Sequence, residues 1–383
     1  MPVLVGIPIE SVRKSEEVLM DMRKTISELV TETFMGGLRE KAMEYGCLFS
    51  AECSAPTMMS DGMMIFRDTD IPMGEFWLRS PTHDKPNDIL DAVSGARIYG
   101  KNIVQAEAFT QRRITWDEHP AMLKTMQDME YSFGVNRLVY HVFTHNPWID
   151  RAPGLTLSDG IGLFFQRDQT WWTDAAEWVS YATRCQALLQ FGKPVSDLAV
   201  FAGDNLPSRA VLPERLVPFL PGIFGHDVVA SERERLSNHA IPMTGQPGGT
   251  AYAANTAKPD GWANALRGYN YDSFNADALL NRATVKNKRL VLPDGVSYGV
   301  LIIPGRNPMM PDAEMSAATL ARISEFAAEG LPVLSADTSI ATYMLPYVDR
   351  TFDRIGIGRD LIALDEYGEY AKGLAFSHRS SDD

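Results

Sequence analysis

Two runs of sequence decide the fold, KNIVQAEAFT (101–110) and NRLVYHVFTHNPW (136–148), and a helical segment separates them. Each stretch contains a short apolar run and ends in polar and aromatic residues. The first ends in a segment that contains Glu107, and the second ends in one that contains His141 and His145. Parallel α/β barrels build their active sites from such side chains at the C-terminal ends of strands. The pattern therefore predicts that Glu107 is the centre of the chemistry.

The preceding sequence repeats the same pattern. CLFSAEC (47–53) and IPMGEFW (71–77) are short apolar runs that contain Glu52 and Glu75. Helical patterns lie between the runs, and strands that alternate with helices indicate a parallel sheet. Residues 1–194 hold about four such units, whereas a closed eightfold barrel needs roughly 250 residues. The sequence therefore predicts an α/β fold that is the second half of a (β/α)8 TIM-type barrel.

The sequence predicts a second domain over residues 195–345. A strand near its start is followed by a short helix at 271–280, two strands around an Asp-Gly turn at 289–305, and an amphipathic helix at 315–330. This alternation is typical of a flavodoxin-like α/β domain, a type that glutamine amidotransferases also contain. No GxGxxG or P-loop motif accompanies it, so nucleotide binding is not supported. Residues 346–383 are expected to form a C-terminal extension.

Composition and charge indicate which binding partners and which cellular locations suit the chain. The chain carries 36 basic and 49 acidic residues, a net charge of −13, which argues against nucleic acid or an anionic membrane as a partner. Its three cysteines show no metal-ligand or disulfide pattern. The first residues lack the features of a signal peptide, and no apolar run reaches the length of a membrane span. We expect a soluble protein and leave its localisation open.

Glu52, Glu75 and Glu107 are candidates for the two carboxyl groups that glycoside hydrolysis requires. One carboxyl group acts as general acid on the leaving oxygen, and the other activates water or attacks carbon. The two groups are roughly 6.5–9.5 Å apart in inverting enzymes and about 5–5.5 Å apart in retaining ones. Glu52, Glu75 and Glu107 follow or interrupt successive apolar runs. A solvated or salt-bridged loop carboxylate is the alternative for each of them.

Imidazole and indole side chains near these glutamates are candidates for sugar binding. His141 and His145 are four residues apart on a strand and loop, which favours hydrogen bonding to a sugar hydroxyl over zinc ligation. Trp148, Trp171 and Trp172 either stack on a sugar face or belong to the core. No zinc-ligand spacing is present, so we expect no certain metal site.

Calcium is the cofactor for which the sequence offers candidate ligands. Asp61, Asp68, Asp70 and Asp84 lie in the loops that flank Glu75, and oxygen ligands of this kind suit a hard cation. No EF-hand pattern accompanies them.

The chain resembles the α-L-rhamnosidases of glycoside hydrolase family one hundred and six. The matching segments cover most of residues 15–340. They are AEAFT (106–110), PMGEFW (72–77), VNRLVYHVFTHNPW (135–148), PG (153–154), QRDQTWW (166–172), the R-x-Q-x-L-L helix (184–189), YNYDSFNADALL (269–280) and LVLPDGVSYGVLIIP (290–304).

The resemblance implies an inverting exo-glycosidase that removes terminal α-L-rhamnose from plant or microbial glycans on a (β/α)8 barrel, with calcium associated with the site. It makes Glu107 the expected general acid, which requires a raised pKa. Glu75 is expected to bind substrate or to support catalysis, and Glu52 is the best substitute for the base. The sugar subsite is expected to be lined by His141, His145 and Trp148.

Length is where the chain departs from this family, whose members are longer, carry the first half of the barrel and are usually exported. A partner segment or a homo-oligomer is therefore expected to complete the barrel, because an open parallel edge exposes unpaired backbone. Two alternatives stay open. One is another barrel glycosidase, such as a β-galactosidase-like enzyme, and the other is an inactive carbohydrate-binding remnant.

Overall fold

The computed structural model describes residues 2–53, 60–78, 86–111, 116–151, 161–204, 206, 208–211, 270–304 and 315–335. In these ranges the α-helices are α1 Val12–Glu28, α2 Gly36–Glu44, α3 Pro86–Ile98, α4 Pro120–Phe133, α5 Ala175–Leu189 and α6 Ala317–Ala328, and a π-helix, Leu29–Met35, joins α1 to α2. The strands are β1 Ser50–Glu52, β2 Ile71–Trp77, β3 Gln105–Thr110, β4 Arg137–Tyr140, β5 Leu198–Phe201, β6 Tyr271–Phe274, β7 Thr284–Lys286, β8 Arg289–Val291, β9 Ser297–Tyr298, β10 Val300–Ile303 and β11 Val333–Ser335. None of the helices in the described part combines the length and apolar character needed to cross a membrane. The extension predicted at 346–383 lies outside the described residues.

The first sheet contains β1, β2, β3 and β4 side by side in chain order, and every pair is parallel. Helices α3 and α4 connect its later strands, and Gly134 ends α4 with a left-handed φ of 120°. Burial alternates along β2: Pro72, Gly74 and Phe76 are buried, whereas the residues between them are half-buried. One side of the sheet therefore packs on a core, and the other side is partly open.

The second sheet has the order β11-β10-β5-β6, again with all pairs parallel. Strands β7, β8 and β9 form a separate antiparallel sheet, and Gly295, at φ 94°, lies in the turn between β8 and β9. Fully buried Phe274 and Tyr298 meet edge to face, with their ring centroids 4.9 Å apart. The predicted mixed α/β fold with parallel sheets is confirmed at this level.

Helix α3 packs against both parallel sheets. Its residues Val93 and Ala96 belong to the hydrophobic core of the first sheet. On the side of the second sheet, Arg97 Nη1 lies 2.8 Å from the Asp272 carboxylate, which also accepts a hydrogen bond from the Tyr298 hydroxyl at 2.9 Å. Because Asp272 is fully buried, these two partners offset the cost of removing its charge from water.

The helix predicted at 271–280 is wrong in its first half, where the chain forms β6. Pairing with β5 and the buried bonds of Asp272 override the helical pattern of the sequence. Asn275 then accepts a hydrogen bond from the backbone N–H of Ala278 at 2.9 Å, so a helical turn starts only after this point. Strand β5 and Arg97, whose contacts make residues 271–274 a strand, are remote from them in sequence.

Gly74 is expected to be required for the contact between β2 and α3. A Cβ atom at this position would lie 2.9 Å from the Asp88 carbonyl oxygen and 3.0 Å from Ile89 Cα, and neither backbone atom can yield easily. We expect Gly74→Ala to lower the free energy of unfolding in urea by about 1–3 kcal/mol.

Gly37→Ala is the matched control for this substitution. Gly37 is an exposed residue in α2, and a Cβ there would meet no atom within 4 Å. Alanine should therefore stabilise the helix by roughly 0.5–1 kcal/mol. Equal effects of the two substitutions would contradict the packing explanation for Gly74.

Candidate active site

Three glutamates from successive strands lie on one side of the first sheet. Glu75 of β2 is paired with Glu107 of β3, and Glu52 of β1 is paired with Met73 of β2. Paired residues of neighbouring parallel strands share a side, as do residues two apart in one strand. The structure therefore places Glu52, Glu75 and Glu107 together on the half-exposed side of the sheet, which we call the carboxylate face.

Two side chains hold the Glu107 carboxylate. Its Oε1 lies 2.8 Å from Nδ1 of His141, the first residue after β4. The Thr110 hydroxyl donates to the same oxygen at 3.3 Å, and Thr110 Oγ1 lies 2.9 Å from His141 Nδ1. The side chains of Glu107 and His141 are 27% and 15% exposed, so substrate could reach the pair while bulk water screens it only in part.

A break in strand register brings Thr110 to this pair. Glu75 pairs with Glu107, but Trp77 pairs with Thr110, so β3 has one more residue than β2 over this interval. The backbone of Phe109 takes a left-handed φ of 66° here, while its ring is fully buried. Bulges of this kind redirect side chains and are frequent beside active sites.

The pair shifts the pKa values of both partners. The hydrogen bond from His141 holds the pKa of Glu107 below its ordinary value, against the opposing effect of burial, and Thr110 acts in the same direction. The same bond raises the pKa of His141, to which the charges of Glu107, Glu75 and Glu52 also contribute. Ionised Glu107 beside protonated His141 is therefore favoured over a wider pH range than in isolated side chains.

A family model described as alpha-L-rhamnosidase matches residues 1–254, which include the whole carboxylate face. The chain belongs to the α-L-rhamnosidase family. This membership confirms the family that the sequence motifs predicted, and with it a glycosidase-type protein.

Two known proteins are similar to this rhamnosidase-family chain over most of its length. A protein from Formosa agariphila named "Putative beta-glucuronidase" is 31% identical over 337 residues, which are 88% of this chain and 24% of that protein. The solved structure of the rhamnosidase from Novosphingobium sp. PP1Y superposes with a TM-score of 0.65 at 26% identity, covering 94% of this chain and 30% of that one. The chain thus spans less than a third of the length of either protein.

The segment that follows β4 in this rhamnosidase-family fold is tied down by Arg167. Its Nη2 donates to the backbone oxygens of Asn146 and Trp148, each at 2.6 Å, and the Asn146 amide donates to Asp168 at 2.7 Å. Trp148 is 47% exposed, and His145 is exposed as well. Both therefore remain open to a ligand, as the sugar-binding prediction requires. Arg167 was not among the predicted site residues, although it lies within the matching segment QRDQTWW.

The two adjacent tryptophans have different environments. Trp171 is buried, its indole Nε1 donates to the Glu118 carbonyl at 2.6 Å, and its ring meets Trp178 edge to face at 5.8 Å. These contacts favour the core alternative over sugar stacking for Trp171. Trp172 is half-buried and packs edge-on against Phe165 at 5.1 Å, so its contact with substrate stays a prediction.

The described residues do not fit a calcium site. Among them, no group of three or more His, Cys, Asp or Glu side chains is arranged to hold a metal. Asp61 accepts hydrogen bonds from Asn275 and two backbone N–H groups, Asp68 pairs with Arg67, and Asp70 pairs with Arg39. These aspartates thus serve separate local contacts, and Asp84 lies outside the described residues. We derive no catalytic step through calcium.

Breaking the pair should move the titration of His141. In Glu107→Gln the carboxylate charge is lost, so the pKa of His141 should fall toward the ordinary value of about 6.5. The stabilisation from His141 protonation is complete below that ordinary value and disappears as pH rises through the raised folded value. NMR titration of the imidazole protons checks the first statement, urea unfolding across the same pH range checks the second, and His145→Gln, outside the pair, is the control. An unchanged His141 titration in Glu107→Gln would contradict the ion pair.

Proposed function

We propose that the protein is a glycoside hydrolase that removes terminal α-L-rhamnose from plant or microbial glycans with inversion, by glutamate acid–base catalysis. The observation that carries this proposal is the hydrogen-bonded pair of Glu107 and His141 on a face that also bears Glu52 and Glu75. Several carboxyl groups converging on one open face match the chemistry of glycosidic bond cleavage. Family membership and the similarity to a solved rhamnosidase direct the substrate choice to rhamnose.

Glu107 fits the general base better than the general acid that the sequence analysis assigned. A general acid must hold its proton near neutral pH, which requires a raised pKa. The pKa of Glu107 is instead lowered, first by the hydrogen bond from His141. An ionised carboxylate can take a proton from the attacking water. We therefore assign the base to Glu107 in this proposal.

Strand geometry favours Glu52 as the acid. Glu52 lies two strands from Glu107 and two residues lower in register, so their Cα atoms are about 12 Å apart. Of the two other glutamates on the carboxylate face, Glu52 is the one far enough from Glu107 to leave at least the roughly 6.5–9.5 Å between carboxyl groups that inversion needs. Glu75, whose Cα is only about 5 Å from that of Glu107, is too close and is assigned to substrate binding.

The sugar itself would lie against the C-terminal end of this face. His141 presents its ring beside Glu107, and exposed His145 and Trp148 follow on the same segment. Imidazole groups can bond sugar hydroxyls, and an exposed indole offers a flat apolar surface for a sugar ring. Trp172 is the further candidate for such a contact.

The architecture proposed with this function is the second half of a (β/α)8 barrel, residues 1–194, followed by a flavodoxin-like domain, residues 195–345. The sequential parallel order of the first sheet supports the former, and the order β11-β10-β5-β6 supports the latter, since β5 lies between later strands as in doubly wound sheets. Val139 on the carboxylate face is 41% exposed. We propose that a further segment or a second copy completes the barrel around this face and leaves its C-terminal end open to the sugar.

A panel of aryl glycosides tests the proposal. The purified chain should release 4-nitrophenol from the α-L-rhamnoside, and proton NMR should show β-L-rhamnose as the first product. Retention of configuration would instead favour the closely spaced Glu75 and Glu107 as the reacting pair. Release from the β-glucuronide would favour the activity in the name of the Formosa agariphila relative, and release from the β-galactoside would favour a β-galactosidase-like enzyme. Rhamnose binding by folded protein without hydrolysis would favour a carbohydrate-binding remnant.

A further inference from the structure

The alternation of β3 does not account for the position of Thr110. Gln105 and Glu107 lie on the carboxylate face, whereas Ala106 and Ala108 are fully buried on the other side. Continued alternation would send Thr110 to the buried side with the two alanines. Its hydroxyl instead contacts Glu107 and His141. Some feature of the local backbone must redirect it.

Phe109 is the residue at which the alternation changes. Its ring lies in an aromatic cluster on the buried side, 5.0 Å from Phe76 and 5.5 Å from Trp178 between centroids. Its left-handed backbone is costly for a bulky L residue, and such conformations persist where surrounding packing enforces them. Phe109 is thus anchored by its ring, and Thr110 is turned back toward the carboxylate face.

Both contacts to Glu107 use one oxygen of its carboxylate. The Nδ1–H group of His141 and the hydroxyl of Thr110 are directed at Oε1, and Oε2 takes part in neither contact. Two donors on one oxygen fix the rotation of the carboxylate about its last bond. Thr110 is only 1% exposed, so it supports this geometry without being accessible to a sugar.

We propose that Thr110 is a positioning residue that, together with His141, holds Oε1 of Glu107 so that Oε2 faces the reacting water. This inference rests on the proposed function, in which Glu107 is the base. The hydroxyl also favours the ionised carboxylate, since its hydrogen bond lowers the pKa of Glu107. The other groups that act on this site are His141 itself and the charges of Glu75 and Glu52 on the neighbouring strands.

Thr110→Val and Thr110→Ser separate the hydroxyl from the shape of the side chain. Carbon-13 NMR of the Glu107 carboxyl group, assigned with Glu107→Gln, reports its titration without any need for turnover. Thr110→Val should raise the pKa of Glu107 by roughly 0.5–1 unit, whereas Thr110→Ser should stay near wild type. An unchanged titration in Thr110→Val overturns the proposal, as does an equal shift in both variants. Circular dichroism confirms that each variant is folded.

Kinetics supply the second readout. In Thr110→Val, kcat at neutral pH should fall roughly tenfold with KM within about twofold, and the acid limb of the kcat profile should move to higher pH. Thr110→Ser should restore both the rate and the pH profile. A rise in KM alone would assign Thr110 to ground-state binding and overturn the positioning role. Absence of hydrolysis by the wild type would refute the proposed function, and the NMR titration would still decide whether Thr110 controls Glu107.

Discussion

Glu107→Gln should lower kcat/KM for 4-nitrophenyl α-L-rhamnoside by about 10³-fold, because a positioned general base typically contributes 10²–10⁴-fold. Glutamine keeps the volume of the side chain, and its amide oxygen can still accept hydrogen bonds from His141 and Thr110. What it cannot do is take a proton from water. The loss should therefore appear in turnover, with little change in the free energy of unfolding at a pH above the titration of His141.

The leaving group distinguishes base from acid in this experiment. Nitrophenolate departs without needing a proton, so a variant that lacks only the acid keeps much of its rate on the aryl glycoside. Glu107→Gln should lose rate equally on the 4-nitrophenyl and the methyl rhamnoside. Glu52→Gln should lose far more rate on the methyl rhamnoside. The reverse pattern would restore Glu107 to the acid role that its motif position first indicated.

Glu177→Gln is the matched control, since Glu177 is an exposed residue on α5, away from the carboxylate face. Its activity should equal that of wild type. A Glu107→Gln variant that retains activity within about threefold of this control would end the catalytic assignment of Glu107.

Local signals were sufficient to predict most elements of this fold. Helices α2, α4 and α6 are each followed by a glycine with a positive φ, at Gly46, Gly134 and Gly330, and a glycine after an apolar helical pattern is a helix stop that can be read from the sequence. Glutamates on successive strands were also predictable, because apolar runs that contain a glutamate are visible without partners, although only Glu52 ends its strand, whereas Glu75 and Glu107 lie within β2 and β3. The structure places Glu52, Glu75 and Glu107 on one face in agreement with that pattern.

The features that the sequence did not predict depend on contacts between residues that are remote in sequence. Thr110 and His141 meet only because β3 contains an extra residue, and AEAFT gives no sign of a register change that depends on β2. The acid role of Glu107 rested on a motif, whereas its lowered pKa depends on a histidine 34 positions later. Strand β6 was predicted as helix because its buried ionic partner, Arg97, lies 175 residues away.

A second large effect, on the free energy of unfolding, is expected at Arg209, whose ion pairs also join residues that are remote in sequence. Its guanidinium is almost buried between Asp88 and Asp91 of α3, and its Nε lies 2.5 Å from Asp91 Oδ2. The neighbouring backbone N–H of Ala210 donates to Asp91 as well. Arg209→Met removes the cation and leaves two buried carboxylates in place. We expect the free energy of unfolding in urea to fall by about 3–5 kcal/mol, as when one partner of a buried pair is removed.

The pH dependence of this loss separates charge from packing. Burial raises the pKa of Asp91 to about 7, although Arg209 opposes that shift. Between the ordinary value of 3.8 and that raised value, the folded state holds more protons than the unfolded state, so stability falls as pH rises. Without Arg209 the pKa of Asp91 should rise further, and the deficit of Arg209→Met should shrink as the solution is acidified.

Adding Asp88→Asn and Asp91→Asn should recover much of the loss, whereas Arg184→Met, on the exposed side of α5, should change little. A deficit that is independent of pH would mean that Arg209 acts through packing rather than through its charge.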